Sequence, residues 1–343
     1  MGKQANYDWP QKRRTLKNMI PEEEDLTRWL AQETPEAVIE PDLPIIDTHH
    51  HFWKNPSRRC TYELHDLWAD TDSGHNVEKT VFIDSRSCFR EEGPEHLKPI
   101  GETEYVIKAA EESARTPGKS TIGAIVSHAD MTLGAGIEEV FEGHIEAGKG
   151  LFRGIRAGFP EELDAAYHEC FAVMGKLNLS FDNYSADYER LPAMADLADQ
   201  HPDVRIIICH MGGKIDADAS PEAFTNWQRC INSIARCPNV YMKVGGAQQR
   251  LGDWEPTFHM NRRDKPIGSE ELCELLYPYY SYTIEAFGAD RCTFESNYPV
   301  DKECVSYRTL WNMFKRIANR AGLSESEKTA IFSGTAARVY RVE

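Results

Sequence analysis

The sequence lacks the features of a membrane protein and of a nucleic-acid-binding protein. No run of apolar residues approaches the ~18 that a membrane-spanning helix requires, and residues 1–14 contain no apolar segment typical of a secretory signal. Basic residues are few, since 39 Lys and Arg stand against 55 Asp and Glu, and the formal net charge is −16. Phosphate backbones and anionic lipids both select basic partners. We therefore expect a cytoplasmic protein that binds neither nucleic acid nor membrane.

The nine cysteines include no CxxC pair. Disulfide frameworks are typical of short secreted chains, whereas 343 residues can bury a large apolar core without them. The 41% of hydrophobic and 27% of charged residues are ordinary for a globular protein. We expect the thiols to be reduced and mostly buried as small apolar side chains.

From residue 45 onward, short apolar runs alternate with amphipathic helical patterns. The strand candidates are residues 45–53, 80–84, 120–127, 151–156, 178–184, 204–210, 239–244 and 291–297. Eight strand–helix units in ~300 residues predict a (β/α)8 barrel over residues 45–343. A doubly wound open sheet would carry a glycine-rich loop after its first strand, where this chain has three histidines instead.

Residues 1–44 form a polar N-terminal extension. The segment 21–25, Pro-Glu-Glu-Glu-Asp, is typical of a helix start, because proline suits the first turn and acidic residues suit the positive end of the helix dipole. Three prolines then interrupt the approach to the first strand. We expect either an arm, lying on the barrel or building a homo-oligomer with a neighbouring subunit, or a solvated tail.

The first strand candidate carries the strongest chemical pattern. Asp47, His49 and His51 stand at every second position behind two isoleucines, so a strand would place the three side chains on one face. Two imidazoles on a rigid strand can chelate one divalent cation, and imidazole suits zinc and its neighbouring transition metals. A histidine-rich strand end without metal is the alternative, which the acid-His-His alternation disfavours. Asp47 could instead orient one of the histidines.

Nearly every other strand candidate also ends in a polar or titratable residue. In a (β/α)8 barrel the C-terminal strand ends build the active site. These residues are Asp84, Arg86, Ser127, His128, Asp130, Arg156, Asp182, Tyr184, His210, Lys243, Glu295 and Asn297. A purely structural barrel would not need this concentration, which therefore indicates a site for a small molecule.

Five motifs occur in an order that resembles the amidohydrolase superfamily. They are Asp47-Thr-His-His-His-Phe-Trp53, Phe152-Arg-Gly-Ile-Arg156, Cys209-His-Met-Gly-Gly213, Met242-Lys-Val-Gly-Gly246 and Phe294-Glu-Ser-Asn-Tyr-Pro-Val-Asp301. Over about residues 45–340 the chain is most similar to the branch with sugar-acid lactonases and 2-pyrone-4,6-dicarboxylate hydrolase. The resemblance implies a hydrolase in which the first-strand histidines and His210 surround a metal or the attacked carbonyl.

One position departs from that family pattern. The resemblance implies an aspartate at the end of the eighth strand that binds the metal or activates water, and Asn297 stands there. An amide can neither deprotonate water nor carry a ligand charge. Glu295, two residues earlier on the same face, and Asp301, on the following loop, are the two candidate substitutes, and a site without a base on this strand is a third possibility.

The sequence thus yields a set of candidate roles. The predicted metal ligands for zinc or manganese are His49, His51, His210 and Glu295. The predicted catalytic residues are His210, Glu295, Asp301 and Asn297, although His210 could also be a core histidine. The first predicted substrate-binding residue is Arg156, for which a structural ion pair is the alternative. The weaker candidates for substrate binding, each with a packing or surface role as the alternative, are Tyr184, Lys243, Arg86, Trp53 and Arg250.

We expect these residues to open the lactone of a small carboxylated or sugar-acid substrate. The metal or the histidine cluster would polarise the carbonyl, and a bound cation or a nearby carboxylate would activate water. A non-oxidative decarboxylase of an aromatic or unsaturated acid is the first alternative, which the His-x-His pair of the first strand disfavours. A catalytically degenerate barrel that serves as a binding protein is the second, suggested by Asn297.

Overall fold

The computed structural model describes residues 23–54, 61–184, 187–214, 220–246 and 257–342. Within them, eight parallel strands form one sheet in sequence order. The strands are β1 (Ile45–His50), β2 (Val77–Ile83), β3 (Thr121–Ser127), β4 (Phe152–Gly158), β5 (Ser180–Tyr184), β6 (Arg205–Ile208), β7 (Val240–Gly245) and β8 (Cys292–Glu295). The ring closes where the His51 amide donates to the Tyr298 carbonyl over 2.8 Å and the Asn297 amide donates to the His49 carbonyl over 2.9 Å. The predicted (β/α)8 barrel is confirmed.

Helices alternate with the strands and cover the outside of the barrel. They are α1 (Glu23–Leu30), α2 (Leu64–Thr71), α3 (Ile100–Arg115), α4 (Ile137–Ala147), α5 (Ala165–Lys176), α6 (Leu191–Gln200), α7 (Pro221–Ala235), α8 (Ser269–Phe287), α9 (Tyr307–Arg320), α10 (Glu325–Thr329) and α11 (Thr335–Tyr340). None of these helices combines the length and the hydrophobicity needed to cross a bilayer. The apolar core lies mainly between the strands and this helical layer.

Three strands end earlier than their sequence patterns predict. The first stops at His50 rather than residue 53, β6 stops at Ile208 rather than residue 210, and β8 stops at Glu295 rather than residue 297. The backbone turns out of the extended conformation there, since φ is +54° at His210 and +56° at Asn297. Several candidate site residues therefore lie on tight turns directly after the strands, where loops of this fold carry function.

The interior of the barrel holds a buried ion pair. Lys243 Nζ lies 2.8 Å from Asp182 Oδ2 and donates to the Thr48 carbonyl over 2.8 Å. The Tyr340 hydroxyl, from the last helix, donates to the same Asp182 oxygen over 2.6 Å. All of these side chains are fully buried. A buried charge is tolerated only when it is paired and hydrogen-bonded, and each of these two charges meets that condition.

The described part of the N-terminal extension packs against its own barrel. The Trp29 indole donates to the Arg263 carbonyl over 2.9 Å, and Glu36 Oε1 accepts from the Ser269 amide at the start of α8 over 2.7 Å. Farther along, Glu40 Oε1 lies 2.9 Å from Lys328 Nζ. An additional contact of residues 1–44 with a second subunit stays a prediction, and residues 1–22 lie outside the described residues.

The cysteines of the described residues are free and mostly buried, as expected from the sequence. Eight cysteines are free thiols, and seven of these are buried. Cys60 lies outside the described residues. The buried thiols include Cys209 and Cys292, on or next to barrel strands, where they serve as small apolar side chains.

His144 makes folding stability depend on pH. Its Nε2 lies 3.1 Å from the His128 carbonyl and its Nδ1 lies 2.8 Å from Thr103 Oγ1, an arrangement that suits a neutral ring. Burial lowers its pKa from 6.5 to about 4. Because the folded state binds a proton less readily than the unfolded state, the contribution of His144 to the free energy of unfolding is expected to be complete above pH 6.5. It is expected to fall as pH decreases towards 4, by up to about 3 kcal/mol.

Urea unfolding at pH 7, 6 and 5 measures this contribution. In His144→Gln the free energy of unfolding is expected to decrease less on acidification than in the wild type. The difference in free energy of unfolding between wild type and variant therefore narrows as pH falls. A difference that stays constant across these pH values would contradict the assignment.

Candidate active site

Glu295 is the centre of the cluster at the C-terminal end of the barrel. Its Oε1 lies 2.7 Å from His210 Nδ1 and accepts the His210 amide over 3.0 Å. Its Oε2 lies 2.7 Å from His49 Nδ1. The Glu295 and His49 side chains are fully buried and that of His210 is nearly so. One carboxylate thus joins the ends of β1, β6 and β8.

The three predicted imidazoles come together beside this carboxylate. The ring centroid of His49 lies 4.5 Å from that of His210 and 4.8 Å from that of His51. The Nε2 atoms of His49 and His51 are 3.2 Å apart, and His51 Nδ1 lies 2.9 Å from the Ile83 carbonyl. Residues distant in sequence therefore form one compact set of nitrogen and oxygen donors.

Two glycines at the end of β7 leave the room that this cluster occupies. A Cβ on Gly245 would lie 2.5 Å from Glu295 Cγ, and a Cβ on Gly246 would lie 2.1 Å from His210 Nδ1. Gly246 also has φ +59°, which side-chain-bearing residues rarely adopt. The family motif that contains this Gly-Gly pair predicts no role for it, although paired glycines directly after a strand are a signal of close packing.

The charges of the cluster follow from burial and from neighbouring cations. Burial raises the pKa of Glu295, but the charges of His210 and Lys243 outweigh burial and hold it below its usual value. Burial lowers the pKa of His49 well below its usual value, and Lys243 and His210 lower it further. Burial likewise lowers the pKa of His51, together with Arg156. At neutral pH Glu295 is therefore ionised and His49 and His51 are neutral, the forms that bind a cation.

The possible tautomers of the histidine rings favour a cation in this cluster. His51 Nδ1 faces a carbonyl and carries the hydrogen, so neutral His51 presents a lone pair at Nε2. If the single proton of His49 is on Nε2, its Nδ1 lone pair faces Glu295 Oε2 at 2.7 Å; if it is on Nδ1, two Nε2 lone pairs face each other at 3.2 Å. The first tautomer leaves two lone pairs in opposition, which a cation between them would relieve, whereas in the second Arg156 Nη1 can donate to His49 Nε2 over 3.3 Å.

The donor set fits a divalent transition metal. One ligand atom each from His49, His210 and Glu295 lie within 4.8 Å of one another, and all three residues are buried. His49 Nδ1 and Glu295 Oε2 are close in distance, yet neither makes a well-directed hydrogen bond. Imidazole nitrogens with a carboxylate oxygen are typical ligands of zinc and related metals. His51 is outside this group of three and contacts it through His49.

Arg156 contacts the cluster directly. Its Nε lies 2.5 Å from Asp84 Oδ1 and its Nη2 lies 2.5 Å from the Asp84 carbonyl, while Nη1 lies 3.3 Å from His49 Nε2. The guanidinium is also 5.5 Å from the centre of the Tyr184 ring. The side chain is 16% exposed, so it is not fully enclosed by protein. Asp84 thus holds this guanidinium next to the histidines.

The other candidate residues lie farther from the cluster. Lys243 forms an ion pair with Asp182 inside the barrel. Trp53 pairs through its backbone with Tyr62, and Arg86 is exposed on the loop after β2. The Asn297 side chain donates to Asp301 Oδ1 over 2.9 Å. Arg250 lies outside the described residues.

Asp47 contacts backbone rather than an imidazole. Its Oδ1 accepts from the Ser296 amide over 2.9 Å and from the His49 amide over 3.2 Å, and its Oδ2 accepts from the Tyr307 hydroxyl over 2.9 Å. Asp47 therefore connects β1 to the turn after β8. The alternation of the sequence predicts that its side chain meets the two histidine rings, but its hydrogen bonds go to other groups. No pattern in the sequence points to Tyr307 in this role.

Comparison with known proteins identifies the family. A family model described as Amidohydrolase matches residues 46–342. The chain belongs to the amidohydrolase family. It is accordingly an enzyme, and the resemblance of its motifs to that superfamily is confirmed.

Relatives of this amidohydrolase match over most of their length. The uncharacterized protein y4mH of Sinorhizobium fredii is 29% identical, over 88% of this chain and 99% of its own. The L-fucono-1,5-lactonase of Burkholderia multivorans is 27% identical, over 86% of this chain and 95% of its own. A crystal structure of a Burkholderia multivorans amidohydrolase with bound zinc superimposes with a TM-score of 0.67 at 22% identity, covering 87% of this chain and 99% of that one. At that identity the superposition shows the shared fold.

Proposed function

We propose that this amidohydrolase hydrolyses the lactone of a small sugar acid. The observation that carries the proposal is the buried Glu295 carboxylate held between His49 and His210, with the Arg156 guanidinium 3.3 Å from the same His49 ring. This arrangement supports the assignment of a base, a cation site and a hydrogen-bond donor to neighbouring side chains. The relative named L-fucono-1,5-lactonase, which matches over nearly its whole length, supports a cyclic ester as the substrate.

The proposed cofactor is a divalent cation, zinc or manganese, held by His49, His210 and Glu295 with His51 alongside. When bound, such a cation supplies Lewis acidity that polarises a carbonyl and lowers the pKa of water. Neutral His49 and His51 and ionised Glu295 provide its donor atoms without first losing protons.

The protein's own groups perform the remaining tasks. Water attacks the lactone carbonyl carbon, the ring C–O bond breaks, and the ring oxygen takes up the proton that the water has lost to become a hydroxyl. We assign acceptance of the water proton to Glu295, which His210 holds through both its ring and its amide. Arg156 donates to the oxygen on which negative charge develops, and afterwards to the product carboxylate.

Proton release tests this function. Opening a lactone yields a hydroxy acid that is ionised at neutral pH and so releases a proton, which a pH indicator records at each turnover. The metal-loaded enzyme is expected to release protons with L-fucono-1,5-lactone or another aldonolactone. No proton release from any aldonolactone, or carbon dioxide release from aromatic carboxylic acids instead, would overturn the proposal, and binding of a lactone without turnover would indicate a binding protein.

Replacing Arg156 is expected to weaken transition-state binding. In Arg156→Lys a point charge remains but the planar fork is lost, so Asp84 and the substrate can no longer be contacted together. We expect kcat/KM to fall by about tenfold to a hundredfold, and by more in Arg156→Gln. Steady-state kinetics on the best lactone measures both changes. Arg236→Gln, which removes an exposed residue directly after α7 that pairs with Asp199 on α6, is the control, and equal kcat/KM in all three variants would refute this role.

A further inference from the structure

One peptide group directly after β2 is held from both sides. Its carbonyl, that of Asp84, accepts from Arg156 Nη2 over 2.5 Å. Its amide, that of Ser85, donates to Glu102 Oε1 over 3.1 Å. Because the C=O and N–H bonds of a trans peptide point in opposite directions, Arg156 and Glu102 contact opposite sides of one rigid plane. The orientation of this plane therefore depends on both side chains.

Glu102 makes a second backbone contact with the same turn. Its Oε1 also accepts the Ser87 amide over 2.7 Å, so one oxygen of α3 bonds two amides of the turn. The Ser85 hydroxyl lies 3.0 Å from this oxygen and 2.7 Å from the carbonyl of Phe52, the residue that follows His51. The turn is thus connected to α3 on one side and to the segment after β1 on the other.

The backbone of this turn is strained. The angle φ is +57° at Arg86 and +55° at Cys88, a region that costs free energy for residues with side chains. Such strain persists only where the surroundings enforce it. The start of α3 packs directly on the turn, since a Cβ on Gly101 would lie 2.6 Å from the Cys88 carbonyl oxygen. Without the two hydrogen bonds to Glu102, we expect the turn to relax.

The Glu102 carboxyl group is buried and uses one of its two oxygens. Its Oε2 makes no hydrogen bond with any residue that the structure describes. Burial and the charge of Asp84 raise the pKa of Glu102 to about 8, although the hydrogen bonds from Ser87 and Ser85 lower it. Below that pH the group is mainly the neutral acid, which still offers Oε1 as a carbonyl acceptor. A glutamine would offer the same acceptor, and an alanine would offer none.

The Arg156 guanidinium takes its orientation from Asp84. Its Nε lies 2.5 Å from Asp84 Oδ1, so two atoms of this one residue, the side-chain oxygen and the carbonyl, hold two of its nitrogens. The third nitrogen, Nη1, lies 3.3 Å from His49 Nε2. A rotation of the peptide plane after Asp84 would remove the carbonyl acceptor and leave the guanidinium free to move relative to His49.

We propose that Glu102 is a positioning residue for Arg156 and acts by fixing the peptide group between Asp84 and Ser85. This inference rests on the proposed function, in which Arg156 donates to the oxygen that gains negative charge. Such a donor is effective only when it is already in place as the charge develops. Glu102 lies on a helix, so a search of strand ends does not select it from the sequence.

A double-mutant cycle on the best lactone tests this coupling. Glu102→Ala is expected to lower kcat/KM by about tenfold, mainly through kcat, because a misplaced donor weakens transition-state binding. In Glu102→Ala/Arg156→Gln the loss should be no larger than in Arg156→Gln alone, since Glu102 then has no guanidinium to position. A merely structural role of Glu102 would lower kcat/KM of the double variant by the product of the two single losses.

Three further variants separate positioning from folding. Glu102→Gln keeps the carbonyl acceptor and is expected to retain most of the wild-type kcat/KM. Glu104→Gln, which removes the partner of Arg90 two residues farther along α3, is the matched control and should leave kcat/KM unchanged. Glu102→Asp is one methylene shorter and cannot bond both amides in the same way, so it replaces Glu102→Ala in the cycle if the alanine variant does not fold.

Crystal structures of the variants give a readout that needs no substrate. In Glu102→Ala the Asp84 carbonyl is expected to turn away from Arg156, whereas Glu102→Gln should preserve the wild-type contact. Unchanged kcat/KM in Glu102→Ala, losses that multiply in the double variant, or an unmoved Arg156 would overturn the inference and leave the lactonase function standing. If the wild type hydrolyses no lactone, the proposed function fails, and the crystal structures alone decide whether Glu102 positions Arg156.

Discussion

Glu295→Gln is expected to remove stoichiometric metal and to lower kcat/KM by about a hundredfold to a thousandfold. The amide has nearly the same shape as the carboxylate, but it carries no charge and offers one acceptor oxygen where Glu295 offers two. It cannot bind His49 and His210 in the same way and also supply a negative ligand. Elemental analysis by mass spectrometry and steady-state kinetics on the best lactone measure the two effects.

Glu303→Gln is the matched control for this variant. Glu303 is also a buried carboxylate bonded to a histidine, with Oε2 3.0 Å from His259 Nε2, but it lies outside the cluster. Metal content and kcat/KM are expected to stay close to the wild-type values. Full metal content and activity in Glu295→Gln would show that the carboxylate neither binds the cation nor acts in hydrolysis.

Lys243→Met is expected to lower the free energy of unfolding by about 3–5 kcal/mol. The loss comes less from the missing attraction than from Asp182, which would remain as a buried charge with the Tyr340 hydroxyl as its main donor. The double variant Lys243→Met/Asp182→Asn removes both charges and should recover most of the loss. Urea unfolding monitored by circular dichroism measures each value.

An exposed ion pair provides the comparison for the buried one. Lys176 lies 2.5 Å from Glu138, with its side chain 67% exposed, and Lys176→Met is expected to cost less than about 1 kcal/mol. If Lys243→Met cost no more than Lys176→Met, or if the double variant were less stable than Lys243→Met alone, the buried pair would not have the energetic role assigned to it.

The barrel could be predicted from the sequence because its signal is local and repeated. Strands buried on both faces appear as short apolar runs such as residues 204–208, and each helix shows its own periodicity. Strand ends were less predictable. The positive φ values of His210 and Asn297 depend on contacts made across the barrel, with Glu295 and with the His49 carbonyl.

The residues of the candidate site could be predicted from the sequence better than the contacts between them. Strand-end position selects His49, His51, His210 and Glu295, because parallel strands end at one rim. Nothing local shows that Glu295 contacts two imidazoles at once, since that depends on distances between β1, β6 and β8. The pairing of Lys243 with Asp182 is hidden for the same reason.

Asn297, which stands where the family pattern has an aspartate, illustrates this limit. From the sequence, Asn297 removes a carboxylate, and Glu295 and Asp301 are equally available substitutes. In the structure Asn297 adopts the left-handed conformation that asparagine tolerates and donates to Asp301, while Glu295 contacts the histidines. The geometry thus supports Glu295 as the substitute, a choice that needs three-dimensional distances.

An anomalous-difference map at the zinc absorption edge tests the central claim most directly, using crystals of the full chain grown with zinc. We predict one strong peak at the end of the barrel, about 2.0–2.3 Å from nitrogen atoms of His49 and His210 and from a Glu295 carboxylate oxygen. A map without a peak between these three side chains, at a zinc concentration that loads the protein, would contradict the account.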